Sequence, residues 1–539
     1  MNGNELTLRD LVHRAARDYP DHEAVADQRY RYTYSELKDA VQRMARLLHT
    51  QGVRKGDRVV LLMPPCTSHV IALFGAVELG AIPCSLHVRE ADNTLAAVVE
   101  RLSPRLLVYD GVYAEKAALL RERVPPITAG ILASSELTPA DAAATHDPVV
   151  PADLQHYSPD FEPMPVAVDD TAVIALSSGT TRLPKGIMHT HRTLLASARN
   201  GARYMDVSAQ TCTISTFSTA FIGWYNMYLP FLFAAAKVVF VSQWDPRRYV
   251  QTMQDEQVTI TFLVPTMWRM LLQQPLEEFD LSSVQRVGFA GEPMDATTAA
   301  RIREQFCPAM INTYGTTETG SWGGCTVLLP EDFASGAGQD SVGKAAEGVE
   351  IRIIEPGGAV DAVLPAGEEG EVLISGPSVA KQIWEQPELA RRVFDGRWWR
   401  SRDLGVLDED GYLYLRGRID DMIISGGINV QPGEVEDVIR AHPAVAECVV
   451  IGLPHEQWGQ QITAFVIPKS AVTAAELIAH VDNSPLSKYK QPREYRLVDD
   501  IPRGNTGKVV RRLLREQVCG QGQTGVRRPT AGESTIGGQ

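Results

Sequence analysis

The feature that most constrains this chain is an alternation of short β-rich runs with capped helical stretches near its start. Arg58 to Met63 is apolar and β-branched. Thr67 then caps a helix with Val70, Leu73, Phe74 and Val77 on its apolar face and Gly80 placed to end it. Upstream, Thr33-Tyr34-Ser35-Glu36 has the spacing of a capping box and starts a helix that runs toward Leu48. Strand and helix alternating at this spacing predict βαβ units and mostly parallel sheets. At 539 residues the chain outgrows a single hydrophobic core, so two or more domains are expected.

The texture changes in the C-terminal third. Short strands with Gly turns at Gly348 to Ile354, Gly370 to Ile374 and Tyr412 to Gly417 predict an antiparallel, barrel-like subdomain. A compact α+β unit is expected from Asp421 to Val518. Pro139 to Pro165 reads as a connecting loop, and the Gly-, Gln- and Thr-rich stretch from Gly520 to Gln539 reads as disordered. The fold class is therefore α/β: a large N-terminal domain of two βαβ-type sheets plus a small barrel-like subdomain, then a smaller α+β domain. The boundaries fall at 1–419, 420–518 and 519–539.

A formal net charge of −14 disfavours nucleic acid or an anionic membrane surface as the main partner, since both want a basic face. MNGNELTLRD shows no secretory pattern. The most apolar stretch, Tyr228 to Val241, is interrupted by Lys237 and falls short of the ~20 residues of a membrane helix. The seven cysteines include no CxxC pair, which points to a reducing cytoplasm rather than a disulfide framework or zinc site.

The chemistry begins at Thr171 to Leu176, a buried-strand pattern that runs into Ser177-Ser-Gly-Thr-Thr-Arg-Leu-Pro-Lys-Gly186. Small residues let backbone N–H groups approach a polyphosphate, hydroxyls donate to it, and an ammonium balances its charge. A Walker A loop needs Gly before the lysine and Ser or Thr after it. Here those positions are Pro184 and Gly186, so a P-loop NTPase is disfavoured. By itself such a cluster also suits a simple turn.

The stretch is similar to the signature of the adenylate-forming (AMP-binding) superfamily, which includes acyl-CoA synthetases, peptide-synthetase adenylation domains and luciferases. Arg182 stands where that pattern usually has glycine. Further motifs follow in the family's order. Gly288-Phe-Ala-Gly-Glu-Pro293 resembles the segment lining the adenine site, which implies roles for Gly291, Glu292 and Pro293. Asn312 to Thr319 resembles the Tyr-Gly-x-Thr-Glu motif. The resemblance implies that Tyr314 stacks on adenine, with Gly315 and Thr316 beside it, Thr317 on the phosphates and Glu318 holding Mg²⁺. Ser401-Arg-Asp403 resembles a Ser/Thr-Gly-Asp motif, with Asp403 for the ribose and Arg402 in the place of glycine. Gly417 to Asp421 resembles a further family motif, which implies Arg418 for ribose or phosphate and Asp420 as the hinge of a mobile C-terminal domain. Gly426 and Gly427 would line the path of a cofactor arm, and Lys508, in Pro502 to Lys508, resembles the mobile catalytic lysine.

The resemblance implies a two-step ligase using ATP, Mg²⁺ and coenzyme A. Lys508, Glu318, Thr317 and Lys185 would be its catalytic groups, and Ser178, Gly179, Thr180 and Thr181 its phosphate loop. Ala220, Phe221, Trp224 and Met227 match the start of the acyl-binding helix, and their apolar character suits a fatty or aryl acid. The same four residues also read as core packing. Amide-forming or other non-CoA acceptors share these motifs, and a non-catalytic nucleotide-binding relative is a further alternative. His189 and His191 read as packing or substrate-lining groups rather than metal ligands. A monomer or homodimer is expected.

Overall fold

A computed structural model describes residues 6–124, 127, 129–133, 147–177, 183–292, 294–320, 325–336, 340–425, 428–503, 509–520 and 526–527. The chain divides into two compact units. The first comprises Met1–Arg352, Leu373–Arg400 and Asp408–Leu413; the second comprises Ile353–Val372, Ser401–Leu407 and Tyr414–Gln539.

The early alternation becomes a five-stranded, all-parallel sheet in the first unit. Its order is Ile82–Ser85, Arg58–Leu62, Leu106–Asp110, Ala129–Ala133 and Val149–Val150. Parallel strands are covered on both faces, which is why Arg58–Leu62 reads as a continuous apolar run. The capping box at Thr33 forms as expected: Thr33 Oγ1 accepts from Glu36 N, and Glu36 Oε2 accepts from Thr33 N at 2.8 Å. The helix it starts spans Tyr34–Thr50. The next helix, Thr67–Glu78, begins one residue earlier than expected, with Cys66 as its cap. Asp27 Oδ2 there accepts from both the backbone and the hydroxyl of Thr67. This helix is buried all round, so the anticipated apolar stripe is part of a wholly enclosed surface.

The second sheet has nine strands in the order Lys344–Ala345, Thr326–Leu328, Met310–Tyr314, Arg286–Ala290, Ile260–Leu263, Cys212–Ser215, Lys237–Phe240, Glu23–Ala26 and Arg31–Thr33. The six strands from Met310–Tyr314 through Glu23–Ala26 run parallel, and antiparallel strands close both edges. Tyr249, Trp268, Phe289 and Ile302 pack over one face as a core. A smaller sheet orders Gln382–Ile383, Lys185–Thr190 and Thr171–Ser177, all antiparallel.

The expected C-terminal strands also form, in one sheet ordered Glu350–Ile354, Glu369–Ser375, Trp398–Leu407 and Phe394–Asp395, the last two antiparallel, with Leu413–Arg418 pairing Trp398–Leu407. The α+β expectation is met by a six-stranded sheet covered by helices Pro432–Arg440 and Ala474–Asp482, with Val435, Ile439, Leu477 and Tyr495 in its core. Two details differ from the sequence reading. The stretch taken as a connecting loop contains Val149–Val150 and a short 3₁₀ segment, Ala152–His156. Within the stretch taken as disordered, Val526–Arg527 pairs antiparallel with Glu494–Leu497.

Candidate active site

In the first unit, the strand predicted before the phosphate loop spans Thr171–Ser177 and returns antiparallel as Lys185–Thr190, with Ser177 opposite Lys185. Lys185 thus stands where the hairpin re-enters the sheet, half-buried. Gly186 is required there: an added Cβ would meet Ile174 Cγ2 at 2.8 Å and Trp384 Cβ at 3.2 Å. Ser177 Oγ is buried and has no hydrogen-bond partner among the described residues, which suits a donor to a phosphate oxygen. Ser178, Gly179, Thr180, Thr181 and Arg182 lie outside the described residues, as do Pro293, Gly426, Gly427 and Lys508.

Parallel strands bring the next two motifs side by side. Gly291 and Glu292 follow Arg286–Ala290, and Tyr314 ends Met310–Tyr314, with Ala290 opposite Thr313. Both sit at the carboxyl edge of the parallel sheet, where open α/β folds bind ligands. Glu292 is fixed by Thr266 Oγ1, which donates to its Oε2 at 3.0 Å.

Beyond Tyr314 and Gly315 the chain makes one 3₁₀ turn, Thr317–Thr319, closed by Gly320 in the left-handed region at φ 75°. Four peptide oxygens in and beside this turn, those of Thr316, Thr317, Glu318 and Gly320, accept hydrogen bonds. Thr319 Oγ1 donates to Thr316 O at 3.1 Å, and Ala380 N donates to Glu318 O at 2.8 Å. Ser197 Oγ donates to Gly320 O at 2.7 Å. The fourth donor is His189, whose Nε2 lies 2.8 Å from Thr317 O. A carbonyl only accepts, so Nε2 carries the proton and Nδ1 faces Thr193 Oγ1 at 3.2 Å. His189 is fully buried, and burial holds its pKa down to about 4. It is therefore a neutral donor at physiological pH. His191, also depressed by burial to about 4, accepts from Leu8 N at 3.2 Å through Nδ1. Both histidines are structural hydrogen-bonding groups, and His189 is a site-supporting residue that sequence reasoning left as simple packing or lining.

Of the four residues expected at the acyl pocket, three are core. Ala220, Trp224 and Met227 are buried, and the Trp224 ring stacks on Tyr228 with centroids 5.2 Å apart and meets His69 edge-on at 4.6 Å. Phe221 is only half-buried and meets His87 edge-on at 5.2 Å. It alone of the four keeps open surface.

In the second unit, Asp403 is buried on Trp398–Leu407. Its backbone N–H donates to Ser401 Oγ at 2.9 Å, and its carboxylate faces Arg418 Nε at 3.6 Å. The two residues assigned to ribose and phosphate are therefore brought together. Asp420 lies in a 3₁₀ turn, Ile419–Asp421, in a bidentate pair with Arg402. Arg503 and Val509, which flank the lysine loop, pair with each other. Arg511, which opens helix Arg511–Gly520, binds Glu436 Oε1 at 2.6 Å and Asp421 Oδ2 at 3.2 Å. Sequence reasoning did not single out Arg511 or Glu436; the Arg511-Arg512 pair just after the lysine loop was the available signal.

Aromatic, hydroxyl and carboxylate groups gathered on a pinned turn at the carboxyl edge of a parallel sheet define a nucleotide-using α/β enzyme. Glu318 and Thr317 on that turn offer the hard oxygen donors that Mg²⁺ prefers. The family model for AMP-binding enzymes matches residues 12–384, and the model for the AMP-binding enzyme C-terminal domain matches residues 434–508. The chain belongs to the AMP-binding enzyme family, as an AMP-forming acid–CoA ligase that uses ATP, Mg²⁺ and coenzyme A.

It is 31% identical over 511 residues to a feruloyl-CoA synthase from Amycolatopsis sp., covering 94% of this chain and 97% of that one. It is 30% identical over 491 residues to the long-chain-fatty-acid–CoA ligase FadD13 of Mycobacterium tuberculosis, covering 90% and 93%. Among solved structures it resembles the anthranilate CoA ligase AuaEII in complex with anthranoyl-AMP, with a TM-score of 0.85, 25% identity, and coverage of 96% and 98%. No helix among the described residues is long and apolar enough to cross a membrane.

Proposed function

We propose that this ligase activates a fatty or aryl carboxylic acid in two half-reactions served by the residues above. In the first, the substrate carboxylate attacks the α-phosphorus of ATP, the bond to the pyrophosphate oxygen breaks, and acyl-adenylate forms. Both reactants are anionic, so the barrier is chiefly electrostatic and positional. Lys508 bridges carboxylate and α-phosphate. Lys185 and the hydroxyls of Ser178, Thr180, Thr181 and Thr317 offset the charge growing on pyrophosphate, with the Gly179 backbone closing on it. Tyr314 stacks on adenine between the backbones of Gly291, Glu292 and Pro293 and those of Gly315 and Thr316. Asp403 accepts from the ribose hydroxyls, with Arg418 beside it. Glu318 would hold Mg²⁺, which supplies charge stabilisation to the polyphosphate.

In the second half-reaction the coenzyme A thiolate attacks the acyl carbon and AMP leaves. The C-terminal domain, 420–518, turns about Asp420 and carries Gly426 and Gly427 toward the acyl group while Lys508 withdraws. The observation that carries this reading is the turn Thr317–Thr319, where the carbonyls of Thr316, Thr317, Glu318 and Gly320 are each held by a donor. Preorganised groups of this kind are what an electrostatic mechanism needs.

The half-open Phe221 favours an apolar or aromatic acid body, and relatives of near-equal similarity are named for a long-chain fatty acid and for ferulate. We further place the enzyme in the cytoplasm, as a monomer or homodimer. A panel of fatty and aryl acids, each assayed for pyrophosphate release with and without coenzyme A, tests the whole reading. Acid-dependent release that never yields thioester would redirect it to a non-CoA acceptor.

A further inference from the structure

Seven residues other than glycine have positive φ among the described residues, and six sit at helix ends or turns. Arg402 is the exception. It adopts φ 60° inside the strand Trp398–Leu407. Left-handed backbone disfavours any residue with a Cβ, so glycine is the low-energy choice there. A strained, half-exposed arginine persists only if its side chain does something that glycine cannot.

That side chain reaches Asp420. Arg402 Nε lies 3.1 and 3.0 Å from the two carboxylate oxygens, and Nη2 lies 2.5 Å from Oδ1. The next residue, Asp421, is held from elsewhere: its Oδ2 faces Arg511 Nη1 at 3.2 Å, and Arg511 Nη2 binds Glu436 Oε1 at 2.6 Å. Glu436 is buried and also accepts from Val450 N at 2.8 Å. Two consecutive carboxylates in one 3₁₀ turn are thus gripped by different pieces of chain. One grip comes from the strand Trp398–Leu407, the other from the helix that follows Lys508.

We propose that Arg402 is a positioning residue that clamps the hinge, and that the two grips part at the peptide joining Asp420 and Asp421. Asp421, Arg511 and Glu436 travel with the C-terminal domain as one body. The Arg402–Asp420 pair belongs to one of the two domain arrangements and opens in the other, so it biases the balance between adenylation and thioester formation. This inference rests on the reading of Asp420 as the hinge between the half-reactions.

The pair is partly exposed, with side-chain exposures of 47% and 31%, so salt weakens it. The test compares wild type with R402G, which relieves the backbone, and R402Q, which keeps the backbone strain but removes the charge. Two rates are measured for each at 0.05 and 0.5 M NaCl (on the order of the ionic strengths that span strong and weak screening). These are acid-dependent pyrophosphate exchange and single-turnover conversion of preformed acyl-adenylate to thioester. The clamp predicts that both variants shift the ratio of the two rates in the same direction by about threefold or more at low salt. It also predicts that the wild-type ratio moves toward theirs at high salt while theirs stays put. An unchanged ratio, or an equal fall in both rates, overturns the clamp while leaving the two-step reading standing. Failure of wild type itself to turn adenylate into thioester overturns the hinge reading beneath it.

Discussion

The bond between His189 and Thr317 gives the sharpest test of how this site is supported. His189→Ala removes a donor 2.8 Å from the Thr317 carbonyl and opens space in a fully buried position. An intramolecular hydrogen bond contributes about 0.5–1.5 kcal/mol net, and stranding its partner costs about 1–3 kcal/mol. The cavity adds to this, so the variant is expected to lose about 2–4 kcal/mol of stability, measured by urea unfolding. The effect on catalysis is separable. If the freed carbonyl lets Thr317 and Glu318 drift, the 1–3 kcal/mol range converts to a roughly 5- to 150-fold fall in acid-dependent pyrophosphate exchange at saturating acid. The KM for the acid should hold if, as proposed, these groups meet the phosphates and Mg²⁺ only. His189→Gln keeps a donor and should recover much of the rate. An alanine variant that loses the stated stability yet exchanges at the wild-type rate would show that His189 only fills space.

Acidification should destabilise the fold through three histidines. Burial depresses His69 to about 3 and His189 and His191 to about 4, whereas unfolded histidine binds a proton near pH 6.5. Their contribution is complete above pH ~6.5 and is lost as pH falls toward 4, by up to about 1.4 kcal/mol per pH unit for each. Denaturant unfolding at pH 7 and pH 5 reads the difference, and a flat profile would contradict it. Lys508→Ala should abolish pyrophosphate exchange but still consume preformed adenylate; retained exchange would remove its assigned role. Gly186→Ala should cost about 1–3 kcal/mol by thermal melting, because its Cβ would meet Ile174 Cγ2 at 2.8 Å.

What the sequence displayed was local. Thr33 and Glu36 announce their helix because both bonds of the capping box close within one turn. Arg58–Leu62 announces a buried parallel strand because covering both faces leaves no polar alternation. The motifs from Ser177 to Asp420 point to candidate site residues because each carries its chemistry in adjacent residues. What stayed hidden was long-range or conformational. His189 and Thr317 are 128 residues apart, and only the fold brings them to one bond. Gln382–Ile383 completes the phosphate hairpin's sheet from nearly 200 residues downstream, on the order of distances that no local pattern encodes. Trp224 reads equally as pocket lining or core packing from sequence, and only the fold shows that it is fully buried and stacked on Tyr228. The sign of φ at Arg402 has no signature in composition or periodicity at all.

Among the described residues, the backbone oxygens around Glu318 accept from His189, Ala380, Ser197 and Thr319, none of which is a proposed reactive group. Scaffold and chemistry are therefore separately mutable. If Glu318 holds Mg²⁺ as proposed, a single codon change there silences the enzyme while leaving those four carbonyls their donors. In a chain built this way, a catalytically dead descendant that keeps its fold lies one substitution from the active form, and so does the route back.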